Sequence, residues 1–162
     1  VQTTHNNESI VPNDAPFFNV GCAGKIVSFS ETSDGRIIVT LEGVCRFNVA
    51  GECEMRNGYR RIRSDFAPYS IDMDDPPECV DRRSFEDLLK NYFEMEQIKV
   101  DWELIQKTED KLLIANLGMM CPFNNQEKQA LLEARDFMHM TEIMTSLMEI
   151  AIRSNNASSV KH

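Results

Sequence analysis

From Ile37 the chain alternates, with Ile37, Val39, Leu41, Gly43, Cys45, Phe47 and Val49 on odd positions and Thr40, Glu42, Arg46 and Asn48 between them. A period of two held this long predicts a β-strand bent at Gly43, with its odd face buried and its even face in water. GKIVSFSE, just upstream, predicts a partner strand, and the Asp-Gly of SDGR supplies the hairpin turn between them. Further back, GCAG at 21–24 carries two glycines but opens no helix that could cradle a phosphate, so it reads as a β-bulge. A third strand is expected over GYRRIRSDFAPYSI, entered at Asn57-Gly58 and interrupted at Pro68. Residues 1–16 are polar and rich in turn formers, so they read as a loop, with Val1-Gln2 as the tail of a strand.

DMDDPPEC ends this regime with two prolines and a cluster of acids, and the period beyond it is helical. Phe85, Leu88, Leu89, Tyr92 and Phe93 repeat at i, i+3, i+4, i+7 and i+8 behind Ser84 as the expected cap. DWELIQK is a short helical piece, followed by a helix that carries Leu112, Leu113, Leu117 and Met120 and is expected to be capped by Thr108. That helix should end at Cys121, because Pro122 disfavours helical backbone in the residue before it. Asn124 with Glu127 three residues on is a capping-box pattern that restarts the helix. The last helix is expected from about Asp136, with Met140, Ile143, Met144, Leu147, Met148 and Ala151 on one face and a frayed SNNASSVKH tail. The pattern therefore predicts an α+β chain: a β-rich module over 1–75, then a helical bundle over 76–162.

Charge sharpens this division. Residues 1–70 carry 7 Lys and Arg against 8 Asp and Glu, and residues 71–162 carry 10 against 18, giving the net charge of −9. An acidic second half repels phosphate backbones and disfavours nucleic acid as a partner. The basic cluster Arg56, Arg60, Arg61 and Arg63 reads either as a solvated strand face or as a partner-binding patch. No apolar run approaches the roughly 20 residues that span a bilayer, so no membrane partner is expected.

The chemical candidates are few. Cys22, Cys45, Cys53, Cys79 and Cys121 form an odd set without a C-x-x-C pair, which fits free thiols in a reducing cytoplasm better than disulfides or a zinc site. A nucleophilic Cys121 would need a base, and His139 on the following helix is the nearest histidine in sequence. This pair defines an alternative reading as a small cysteine hydrolase. Stop, turn and restart, however, account for every residue of CPFNNQEKQALLEA. ATP-binding and serine-hydrolase motifs are absent. Asp72, Asp74 and Asp75 lack the glycine-bearing loop of a calcium site and read as a solvated linker. No cofactor, metal or catalytic residue is expected. Met138 and Met140, within a methionine-rich stretch, are candidate contacts for varied hydrophobic partners.

Two stretches resemble a known family. VGCAGKIVSFSETSDGRIIVTLEGVCRFNV resembles the central hairpin of the Lon N-terminal, or substrate-binding, domain, through Gly21, Gly24, Ile26, the FSET–DGR turn and the strand TLEGVCRF. LLIANLGMMCPFNNQEKQALLEARDF, followed by EIMTSLMEIA, resembles the helical part of the small stand-alone bacterial proteins of that family. The resemblance implies a PUA-like mixed β-barrel or sheet followed by a helical bundle. It also implies a non-enzymatic module that recognises unfolded or client polypeptides, with a protease acting in trans or a second copy as further partners. In the full-length protease the ATPase and the Ser-Lys peptidase are separate domains without counterparts in this sequence. PUA-like barrels also bind RNA, which gives a third reading that the acidic charge opposes. The family's opening strands, with their I-F-E-P-R-Y-like stretch, have no match after Val1, so a β-module incomplete at its N-terminus is expected.

Overall fold

The structure, a computed structural model, describes residues 15–74 and 81–159. The chain divides into two compact units, Val1–Asp75 and Pro76–His162. Cys79, Asp75 and the Val1-Gln2 strand tail lie outside the described residues, as does the expected opening loop except for Ala15 and Pro16.

The first unit is an antiparallel sheet of β1 (Val20–Glu31), β2 (Ile37–Arg56) and β3 (Tyr59–Asp65), in that spatial order. The β1–β2 turn closes through Thr32 N donating to Arg36 O at 2.8 Å and Gly35 N donating to Thr32 O at 2.9 Å. Gly35 takes a φ of +79°, open to glycine at no steric cost. Asn57 and Gly58 turn β2 into β3 with φ of 53° and 83°, the pair of left-handed residues whose twist matches a two-residue hairpin. Pairing slips between Ala23 and Gly24, so GCAG marks a bulge, with Val44 as the extra residue on the opposite strand. The third strand stops at Asp65, short of the expected Ile71. Pro68, which has no N–H to give a ladder, instead sits in the first turn of a 3-10 helix, Ala67–Met73.

That 3-10 helix is pinned to β2. Arg46 Nη2 meets Asp72 Oδ1 at 2.6 Å, Arg46 Nε meets Asp72 Oδ2 at 2.9 Å, and the Arg46 backbone N donates to Asp72 Oδ2 at 3.0 Å. The guanidinium also lies 4.5 Å from the centre of the Tyr69 ring. Cys45, Phe47 and Tyr69 are buried around this pair, and Phe47 meets Phe66 edge-on at 5.5 Å. Asp72 is therefore no solvated linker residue.

The expected burial of β2 is corrected on both faces. Ile37, Val39 and Leu41 are 66%, 44% and 63% exposed, while Arg46, expected in water, is buried. Alternation placed these apolar residues on one face correctly, but no described element covers that part of the strand. Arg46 turns inward because Asp72 and Tyr69 satisfy its charge there.

The second unit comprises α1 (Arg82–Met95), α2 (Trp102–Lys107), α3 (Asp110–Met120), α4 (Asn125–Leu132) and α5 (Phe137–Ser159). Its core joins Leu89, Tyr92, Ile114, Leu117, Cys121, Met144 and Met148. Asp81, rather than Ser84, caps α1: its carboxylate accepts from Ser84 N at 3.2 Å and Ser84 Oγ at 2.7 Å, placing a negative charge at the positive helix end. Thr108 does not cap α3 either, because its hydroxyl donates back to Leu104 O at the end of α2. The capping box forms as expected, with Asn124 Oδ1 accepting from Glu127 N at 3.0 Å and Asn124 N donating to Glu127 Oε2 at 2.8 Å. On α3 the inward face is Leu113, Ile114, Leu117 and Cys121; Leu112 and Met120 point to solvent, because the four-residue spacing runs through Leu113 instead. Helix α5 continues to Ser159, through most of the expected frayed tail. Arg82 ties the start of α1 to its neighbours through Glu86, Asp110 and the Ile105 carbonyl.

Candidate functional site

The most exposed apolar surface of the first unit follows from the β1–β2 register. Ile26 pairs with Leu41, Phe29 with Val39 and Glu31 with Ile37, and residues opposite one another in an antiparallel pair share a face. The bulge between Ile26 and Ser28 keeps Ile26 and Phe29 on the same side despite their odd spacing. One face of the ribbon thus carries Ile26, Phe29, Ile37, Val39 and Leu41, with Glu31 beside Ile37 at its end. The other carries Ser28, Ser30, Thr40, Glu42 and Lys25 together with Ile38, while Val27 is the unpaired residue of the bulge. On the apolar face Phe29 is the most open, at 77%. Five large apolar side chains side by side in water form a surface that gains free energy when another apolar chain covers it.

The four arginines do not form one patch. Arg60 lies on the opposite face of β3 from Arg61 and Arg63, and it is engaged within the unit. Its Nε and Nη2 grip Glu52 at 2.6 and 2.9 Å, its Nη1 donates to Ala15 O at 2.6 Å, and its guanidinium sits 4.4 Å from the Phe17 ring centre. This grip holds the Glu52 carboxyl below its usual range. Arg56, Arg61 and Arg63 are exposed, with Arg63 reaching across β2 beside Gly51. Of the two methionines, Met140 is half-buried against the helical core, whereas Met138 is exposed and lines a groove between α1 and α5.

Cys121 closes α3 and is 1% exposed. Burial pushes its thiol up to about 11; Lys128 pulls the other way, and the Glu96 carboxylate adds to the rise. His139 is engaged elsewhere, its Nδ1 accepting from Arg135 N at 3.3 Å and its backbone N donating to Asp136. A thiolate nucleophile needs the opposite environment, a lowered pKa and a base at hand. Among the described residues no group of His, Cys, Asp and Glu could hold a metal ion, and no helix is long and apolar enough to cross a membrane. Neither the Arg46–Asp72 lock nor the α1–α5 groove carries a local sequence signal, since each joins segments far apart in the chain.

A three-stranded antiparallel sheet followed by five α-helices defines an α+β protein with an apolar β-ribbon and no assembled catalytic group among the described residues. The chain belongs to the family of the ATP-dependent protease La (LON) substrate-binding domain, whose pattern it matches over residues 1–149. Its fold is similar to the N-terminal domain of the Lon protease of Mycobacterium avium complex, with a TM-score of 0.58 and 15% identity over 86% of this chain and 74% of that one. The Lon N-terminal domain protein from Xanthomonas campestris aligns over 85% of this chain and 71% of its own, with a TM-score of 0.49 and 16% identity. No curated protein matches the sequence.

Proposed function

We propose that this chain is a non-enzymatic module that binds unfolded or client polypeptides, with the apolar face of the β1–β2 ribbon as its contact surface. Membership of the substrate-binding family supports the class of function. The observation that carries the choice of surface is the row Ile26, Phe29, Ile37, Val39 and Leu41, held open to water on one face of a paired ribbon. An unfolded polypeptide offers the matching chemistry, since its apolar side chains are exposed and its backbone is free to extend. Such a reading asks for no cofactor and no reacting residue, and the protonated, buried Cys121 agrees with that. The free thiols Cys22, Cys45, Cys53 and Cys121 suit a reducing bacterial cytoplasm, where a protease acting in trans would consume the bound chain.

The test is fluorescence anisotropy of a labelled, reduced and carboxymethylated polypeptide titrated with the full chain. Phe29→Asp with Leu41→Asp should weaken binding at least tenfold while leaving the helical unit's unfolding midpoint unchanged. Undiminished binding by that double variant would remove the ribbon as the contact surface. ATP hydrolysis or peptide cleavage by the purified chain would remove the non-enzymatic reading.

A further inference from the structure

The helical unit carries a concave surface that this polypeptide-binding reading does not use. A groove of about 490 Å³ runs between α1 and α5. Its α5 wall is Met138, Thr141, Glu142, Thr145, Ser146 and Glu149, one stripe of the helix at i, i+3, i+4, i+7, i+8 and i+11. At 1.5 Å per residue that wall is about 16 Å long. The opposite wall, Asp81, Ser84, Phe85 and Leu88, covers two turns of α1. The groove thus follows about three turns of α5 and about two of α1, a length that accepts a helix laid along it.

Its chemistry is asymmetric. Phe85, Leu88 and Met138 give an apolar floor, and Asp81, Glu142 and Glu149 supply three carboxylates, while no lysine or arginine lines it. Two of these carboxylates have partners. Asp81 accepts from Ser84, and Glu149 accepts from Arg153 Nη2 at 2.7 Å on the exposed side of α5. Glu142 has no ion-pair partner among the described residues, and its backbone carbonyl accepts from Ser146 Oγ at 2.9 Å. The surrounding unit deepens the bias, because residues 81–159 hold 9 Lys and Arg against 14 Asp and Glu. A hydrophobic floor alone would accept any apolar segment; carboxylates of one sign along the walls select a cationic one.

We propose that the α1–α5 groove docks a basic amphipathic helix of a partner protein. Apolar side chains of that helix meet Phe85, Leu88 and Met138, a lysine or arginine meets Glu142, and a second cation about two turns along competes with Arg153 for Glu149. Met138, mobile in its three side-chain torsions, lets the floor adapt to different apolar residues. The groove belongs to the helical unit and the ribbon to the sheet unit, and their chemistry differs: the ribbon face is apolar with Glu31 at its end, and the groove walls carry three carboxylates.

The probe is a fluorescein-labelled helical peptide with leucines on one face and lysines on the other, titrated into the full chain at low and high salt, with an analogue in which glutamates replace the lysines. The lysine peptide should bind in a salt-sensitive way and the glutamate peptide at least tenfold more weakly. Glu142→Lys with Glu149→Lys should reduce lysine-peptide binding at least tenfold, and Thr145→Trp, which fills the groove without altering charge, should do the same. Glu94→Lys with Glu109→Lys, an equal charge change on exposed residues outside the groove, should leave binding within twofold, with helicity by circular dichroism confirming that each variant folds. Equal loss in both charge-reversed pairs would reduce the effect to general attraction by an acidic protein and overturn the proposal. Loss on Phe29→Asp with Leu41→Asp would assign the peptide to the ribbon instead. A concentration-dependent dimer of the unliganded chain that Glu142→Lys dissolves would give the groove to a second copy and likewise overturn it.

Discussion

Asp72→Ala removes one half of the most enclosed ion pair in the sheet unit. The Arg46 side chain is 6% exposed and that of Asp72 18%, so the substitution strands a guanidinium that water barely reaches. Breaking a fully buried pair from one side costs about 3–5 kcal/mol, because the remaining charge keeps its desolvation and loses its compensation. Asp72 retains some contact with water, which lowers the expected loss to about 2–4 kcal/mol. Part of that loss belongs to the Arg46 backbone N–H, which also gives up its acceptor. The double variant Arg46→Met with Asp72→Leu removes the charges together and should recover part of the loss, the remaining cost of about 1–2 kcal/mol belonging to the Arg46 N–H that still lacks its acceptor. The single tryptophan, Trp102, belongs to the helical unit and does not report on this event. Urea titration followed by the amide NMR signals of Cys45, Arg46 and Phe47 does. A loss below about 0.5 kcal/mol for Asp72→Ala, within ordinary surface scatter, would refute the lock. So would a double variant as damaged as the single one, since the cost would then come from lost shape and not from an unpaired charge.

Leu117→Ala, at a position 2% exposed among Ile114, Cys121 and Met148, should destabilise the helical unit by about 2–5 kcal/mol. Trp102 fluorescence in urea, through its contact with Phe93, measures that loss, and a change under 0.5 kcal/mol would mean α3 is held elsewhere. Iodoacetamide labelling of the native protein across pH 6 to 9 should modify exposed Cys22 well before Cys121, and the reverse order would reopen the hydrolase reading. Because the Cys121 pKa is raised from 9.0 to about 11, the folded chain keeps a proton that the unfolded chain releases. Stability from this group is full below about pH 9 and declines as pH rises toward 11, by up to about 2–3 kcal/mol. Cys121→Ala should flatten that alkaline decline in the thermal midpoint, and an unchanged slope would show that the thiol is not its source.

Sequence pattern located the strands and helices well where one face repeats. It placed Ile37, Val39 and Leu41 together on one side of β2, because alternation is a property of the strand itself. Whether that side is covered depends on other segments, and here the inference from apolar to buried failed. Cap assignments failed for a more local reason, competition between neighbours. Ser84 and Thr108 are good capping residues, yet Asp81 already takes the Ser84 hydroxyl and the end of α2 already takes that of Thr108. Asn124 and Glu127 face no such rival, and the capping box was legible. Arg46 was misplaced because its partner, Asp72, lies 26 residues away in an acidic stretch whose composition resembles a linker. The groove is invisible to one-dimensional pattern because its walls come from opposite ends of the helical unit.

Strand β2 runs for 20 residues but shares them unevenly: Ile37 to Asn48 pair with β1, and Asn48 to Arg56 pair with β3. Asn48 is matched on both sides, and next to it Val49 pairs with Ser64 while its N donates to Asn19 O at 2.7 Å, so the sheet is two staggered hairpins joined over a short overlap. Such a joint isolates fluctuations. The tip near Gly35 can fray and re-zip without disturbing the Arg46–Asp72 lock, and amide exchange should be graded along one continuous strand, fast at Ile38 and slow at Phe47. A polypeptide captured on the ribbon would then order only the loose arm of the sheet, leaving the anchored arm as an unmoving base against which a bound chain can be held.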